Sequence, residues 1–110
     1  MSATLDELDL VFSALADASR RDILERLVQN GEGTATSLAG DLPISRQAVV
    51  KHLNQLDRAM LVTSRKVGRE VRYQPYPERL SSTARQIEAI ATDWDHTLAM
   101  LKRIAEKSEG

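Results

Sequence analysis

The chain has 110 residues and no cysteine, so residues 1–110 read as one domain, and disulfides, thiolate metal sites and thiol nucleophiles are excluded. The net charge of −1 conceals a strong asymmetry. Residues 1–44 hold 3 basic and 8 acidic side chains, whereas residues 45–73 hold 7 basic (Arg46, Lys51, Arg58, Arg65, Lys66, Arg69, Arg72) and 2 acidic (Asp57, Glu70). Charge gathered into one short segment is the expected footprint of a face that meets phosphate. The N-terminal residues lack the basic and apolar regions of a signal peptide, and no run of apolar residues is long enough to span a bilayer. A cytoplasmic, nucleoid-associated protein is therefore expected.

In chain order, Leu5, Leu8, Phe12 and Leu15, with Val11, recur at helical spacing and predict a first helix over 4–16. Asp17 is placed to cap the second helix, with Ser19 as a rival cap. Ile23, Leu24, Leu27 and Val28 form its apolar stripe, and Gly31 stops it. A short third helix fits Ala35–Asp41, capped by Thr34, and Pro43 disfavours helical geometry at Leu42. Ser45 then caps a fourth helix, Arg46 to Asp57. Ala48, Val49, Leu53 and Leu56 lie on one side of it; Arg46, Gln47, Val50, Lys51 and Asn54 lie on the other.

A short helix, a tight turn and a second helix make a helix-turn-helix. Arginine suits guanine edges, glutamine suits adenine edges and lysine suits phosphate or guanine. A helix N-terminus also favours phosphate through its unpaired N–H groups. An amphipathic helix with an ordinary wet face would look the same up to this point. The next segment favours the DNA-facing reading. Residues 61–67 and 70–74 are rich in β-formers, and Gly68-Arg69 between them predicts a hairpin. Arg65, Lys66, Arg69 and Arg72 crowd it. Such a hairpin self-repels unless something negative lies against it, so it reads as a wing placed along DNA.

The last third predicts a long helix starting at Pro77 or after Ser81-Ser82. Ile87, Ala91, Trp94, Leu98, Leu101 and Ala105 recur at steps of four and three, a seam that wants a partner helix. The fold class is mainly α with a small β-hairpin.

The order of parts resembles the ArsR (arsenical-resistance-operon repressor) family of winged helix-turn-helix regulators. The resemblance spans nearly the whole chain and is clearest in 15–24 (Leu-Ala-Asp-Ala-Ser-Arg-Arg-Asp-Ile-Leu), 45–53 (Ser-Arg-Gln-Ala-Val-Val-Lys-His-Leu) and 64–69 (Ser-Arg-Lys-Val-Gly-Arg). Val50 departs from the family, which usually carries a small polar residue there; a valine could meet a thymine methyl. The resemblance implies a homodimer joined through the first and last helices, with Leu5, Leu8, Phe12, Ile87, Ala91, Trp94, Leu98 and Leu101 at the interface. It also implies repression through an inverted-repeat operator in double-stranded DNA. Arg46, Gln47, Val50, Lys51 and Asn54 are the expected base readers. Ser45, His52, Arg65, Lys66 and Arg69 are the expected backbone contacts.

The resemblance is strongest to the branch without metal ligands, marked here by Asp93-Trp94-Asp95. The family's last-helix metal site would have to draw on Asp93, Asp95, His96 and Glu106, whose spacing does not fit and which supply one imidazole. No cofactor and no metal are expected, and no inducer can be read. No phosphate loop or nucleophile-base pair suggests an enzyme. Two rivals remain: a metal- or ligand-released sensor of the same fold, and a dimeric interaction module that does not bind DNA.

Overall fold

The computed structural model describes residues 5–109, with the side chains of Leu5, Ser108 and Glu109 outside the described set. Its elements run α1 (Leu5–Leu15), α2 (Ala18–Asn30), β1 (Gly33–Thr34), α3 (Ala35–Asp41), α4 (Arg46–Arg58), β2 (Val62–Val67), β3 (Glu70–Pro75) and α5 (Pro77–Glu109). It is a mainly helical molecule with a small antiparallel sheet, as the sequence predicts.

Local chemistry sets the boundaries. The Asp17 carboxylate accepts from the Arg20 amide (3.1 Å) and starts α2. The same corner closes α1 from the other side. Arg20 Nε donates to the Ala14 carbonyl (2.7 Å) and Arg21 Nη1 donates to the Leu15 carbonyl (2.6 Å). Carbonyls orphaned at a helix C-terminus thus gain cationic donors. Gly31 ends α2 at φ 85°, its amide donating to the Leu27 carbonyl (2.8 Å). Thr34 and Ser37 form a reciprocal capping box on α3, and Ser45 accepts from the Ala48 amide on α4 (3.1 Å). Leu42, extended at φ −121° and ψ 150°, separates the two helices ahead of Pro43.

The end of α4 is less usual. Met60 stands at φ 62°, with its amide donating to the Asp57 carbonyl and the Leu61 amide to the Leu56 carbonyl. That is the paired bonding of a Schellman stop, built on methionine where glycine is the common choice.

The sheet order is β1-β3-β2, antiparallel throughout, with Gly33 opposite Tyr73 and Arg65 opposite Arg72. The β2–β3 hairpin was expected; β1 was not, because two residues carry no alternation to read. Gly68 at φ 63° supplies the turn.

The core is aliphatic. Val11, Ile23, Leu27, Leu38, Val49, Leu53, Leu56, Leu61 and Val62 are fully or almost fully buried. Two expectations need correcting. Val28 is 56% exposed and is no part of the α2 stripe that faces the core. Leu8 is buried by its own chain, so it is not offered to a partner. Both turn on which neighbours a face meets, a tertiary fact that periodicity does not contain.

α5 starts at Pro77. It is tied to the body by the Tyr76 amide on the Leu61 carbonyl, by half-buried Leu80 and by an Arg79–Glu7 ion pair (2.9 Å). Thr83 is buried, and beyond Gln86 every described side chain is exposed. At 1.5 Å per residue the helix is about 50 Å long. The radius of gyration is 18.6 Å, where a compact domain of this length has about 13 Å. The excess is the overhang of α5. Among the described residues no helix is long and apolar enough to cross a membrane.

Candidate nucleic-acid interface

α3 and α4 form the helix-turn-helix. Val49, Leu53 and Leu56 are each 0% exposed and lock α4 to the core. Arg46, Gln47, Lys51 and Asn54 are exposed on its opposite face, while Val50 is half-buried against the core. Four of the five expected base readers thus share one outward face. Val50 is partly withdrawn from it, which narrows its access to a thymine methyl.

Arg46 is steadied from the preceding helix: its Nε donates to Thr36 Oγ1 (3.2 Å). That leaves both terminal Nη groups for another acceptor. Thr36 is a residue that sequence reasoning missed. Its signal, a hydroxyl ten positions ahead of an arginine, has meaning only once the turn folds the two helices together. A groove of about 390 Å³ separates this exposed face from the hairpin. Its lining includes Thr36, Arg46, Val50, Arg69, Val71 and Tyr73, with Glu70 at its edge.

Alternation divides the wing into two faces. Val62 is buried, so Ser64 and Lys66, with Val71 and Tyr73 across the ladder, belong to the face that continues toward the core and α4. Thr63, Arg65 and Val67, with Glu70 and Arg72, belong to the outer face. On that face Arg65 and Arg72 both meet one carboxylate: Glu32 lies 2.9 Å from Arg65 and 3.2 Å from Arg72. Glu70 adds a contact to Arg72 at 3.5 Å. The Arg65 hydrogen bond, with smaller contributions from both positive charges, holds the Glu32 carboxyl below its ordinary range. The negative partner that the crowded hairpin requires is therefore supplied, for two of its four cations, by the protein itself. Arg65 was expected at the DNA backbone; here its guanidinium is engaged inside the molecule. Among the described residues Arg46, Lys51, Lys66 and Arg69 have no such carboxylate.

Of the other expected backbone contacts, Ser45 is exposed at the N-terminus of α4. Its oxygen accepts from the Ala48 amide, and its proton remains to donate. His52 is half-buried, and its Nδ1 is buried without a hydrogen-bond partner. It lies close enough to Asp17 to help lower that carboxyl, behind the larger effect of the Arg20 amide. Among the described residues no group of three or more histidine, aspartate or glutamate side chains is placed to hold a metal ion.

A helix-turn-helix with an exposed cationic face, flanked by a β-hairpin wing, defines a winged helix-turn-helix protein of the DNA-binding class. Residues 15–65 match the family model of a helix-turn-helix domain. The chain is 42% identical over 87 residues to the HTH-type transcriptional regulator Rv2034 of Mycobacterium tuberculosis, covering 79% of this chain and 74% of that protein. It is 35% identical over 63 residues to the transcriptional repressor SdpR of Bacillus subtilis, covering 57% of this chain and 69% of that one. Among solved structures, an ArsR-like transcriptional regulator from Rhodococcus sp. RHA1 is similar at 49% identity and a TM-score of 0.77, covering 91% of this chain and 93% of that one. The chain belongs to the ArsR-like family of winged helix-turn-helix transcriptional regulators. It is a DNA-binding regulator of transcription and not an enzyme.

Proposed function

We propose that the protein is a homodimeric repressor that occupies an inverted-repeat operator, working on the chromosome in the cytoplasm. The observation that carries this reading is the pairing of two unpartnered surfaces. One is the exposed Arg46, Gln47, Lys51 and Asn54 face of a rigidly seated helix. The other is the apolar stripe of α5, on which Ile87, Trp94, Leu98 and Leu101 are 38–60% exposed. A second copy of the chain is the occupant that fits the stripe. It would cover both overhangs at once, with exposed Ala91 on α5 and Phe12 on α1 extending the interface. Leu5 belongs to this proposal only by its place at the start of α1. SdpR, a relative, is itself a repressor.

In this reading Arg46 presents its terminal nitrogens to guanine O6 and N7, and Gln47 presents its amide to adenine. Lys51 and Asn54 assist, and Val50 contributes at the edge of the groove. Ser45, Lys66 and Arg69 fix the register on phosphates, with half-buried His52 reaching a phosphate from the edge of α4. Two copies about a two-fold axis require half-site centres one helical turn apart, roughly 34–36 Å.

Binding selection from random duplexes tests the reading directly. The parent should enrich a palindrome. Arg46→Ala and Gln47→Ala should each lose the preference at one symmetric base pair, at about 1–3 kcal/mol for a bidentate contact. Enrichment of the same palindrome by both variants would remove α4 as the reading head.

A further inference from the structure

Four cations crowd the wing, yet they are not equivalent. Among the described residues Lys66 and Arg69 have no carboxylate partner, whereas Arg65 and Arg72 share Glu32, and Arg72 has a second, longer contact to Glu70. Arg65 stands directly opposite Arg72 in the ladder, and like charges in that position repel. Glu32 comes from outside the hairpin, from the turn between α2 and β1, and touches both at hydrogen-bond distance. The pairs are partly exposed, with the Arg65 side chain at 54%. Exposed pairs contribute little to stability. Arg65 is nevertheless three residues from the turn glycine, within reach of anything the wing tip touches.

We propose that Glu32 restrains the wing electrostatically: by holding Arg65 and Arg72 it withholds two cations per subunit from DNA phosphates, and so sets the strength of sequence-independent binding. The proposal rests on the reading above, in which the wing lies along DNA. Sequence-independent affinity comes almost wholly from phosphates neutralised, at a slope of about 0.9 in log K against log salt for each one. Base reading by α4 is separate. A carboxylate that occupies wing arginines therefore lowers background binding without lowering discrimination between sequences.

The test is the salt dependence of binding to a mixed-sequence duplex. Glu32→Gln keeps the shape and a hydrogen-bond acceptor but removes the charge. It should steepen the slope by about 1 per subunit, the share of Arg65, since Arg72 keeps its contact to Glu70, and tighten binding at least threefold at moderate salt. Adding Arg65→Gln and Arg72→Gln should reverse both changes. Glu25→Gln makes the same charge change on α2, where no wing arginine is paired, and should leave the slope alone. An unchanged slope in Glu32→Gln overturns the proposal. So does weaker binding with a shallower slope, because Glu32 would then brace the wing for contact. Arg69→Gln separates the role of Glu32 from the placement of the wing on DNA. If it flattens the slope while Glu32→Gln does nothing, only the role of Glu32 fails. If it also does nothing, the wing does not lie on DNA and the underlying reading fails.

Discussion

α4 and the far half of α5 are both amphipathic, and the protein treats them in opposite ways. On α4 the apolar side is sealed, with Val49, Leu53 and Leu56 wholly buried, and the polar side is left open. On α5 beyond Gln86 the apolar side is open too, with Trp94 at 60% exposure. A sealed apolar face fixes a helix in place, so its polar side chains project at defined positions. An open apolar face does not fix anything until something covers it. One helix is a finished part presenting chemistry to a ligand; the other is half of a part. Substitutions on the two should therefore fail differently.

The largest effect is expected at the sealed face. Leu53→Ala removes a fully buried side chain and should cost about 2–5 kcal/mol of folding stability, read as a lowered denaturant midpoint with an unchanged slope. A loss below about 1 kcal/mol would mean that α4 is not anchored as described. Next comes Trp94→Ala. The side chain is mostly exposed within one subunit, so the loss should appear in association. A central aromatic in an interface is typically worth about 2 kcal/mol or more, at least about a thirtyfold rise in the dimer dissociation constant. Sedimentation equilibrium reads it. An unchanged dimer would place the seam elsewhere and dissolve the contrast between the helices.

A smaller effect is expected at Thr36. Thr36→Val keeps the shape but removes the oxygen that accepts from Arg46 Nε. If α4 reads bases because its side chains are held in position, the preference at the Arg46 base pair should fall about threefold to tenfold. Stability should not change. Thr36→Ser should restore the preference, since it restores the acceptor. Equal selectivity in all three proteins would mean that the Arg46 guanidinium needs no support from α3.

What could be read in advance divides along the same physical line. Asp17, Thr34 and Ser45 were legible as caps because a cap acts over three residues. Gly31 and Gly68 were legible because positive φ is a property of one residue. The cationic wing was legible as composition. The Glu32 pairs were not, because they span 33 and 40 residues of chain and exist only when the α2–β1 turn meets the sheet. Leu8 and Phe12 show the same limit inside one helix. Periodicity puts both on an apolar side of α1, but the surrounding chain buries Leu8 and leaves Phe12 at 44% exposure.

Met60 offers the smallest and most local test of how firmly α4 is finished. Its left-handed backbone costs a side-chain-bearing residue about 1–2 kcal/mol, and at 48% exposure its side chain has modest packing to lose. Glycine removes that strain but gives the unfolded chain extra freedom worth about 0.4–1 kcal/mol. The difference favours Met60→Gly by about 0.5 kcal/mol, a rise of about 2–4 °C in melting temperature for a chain this size. Met60→Ala keeps the strain and loses only the thioether arm, so it should not rise. If alanine stabilised as much as glycine, the gain would come from removing an exposed apolar group. The stop after α4 would then be set by the Leu61 and Val62 packing that follows it, and not by the backbone turn at Met60.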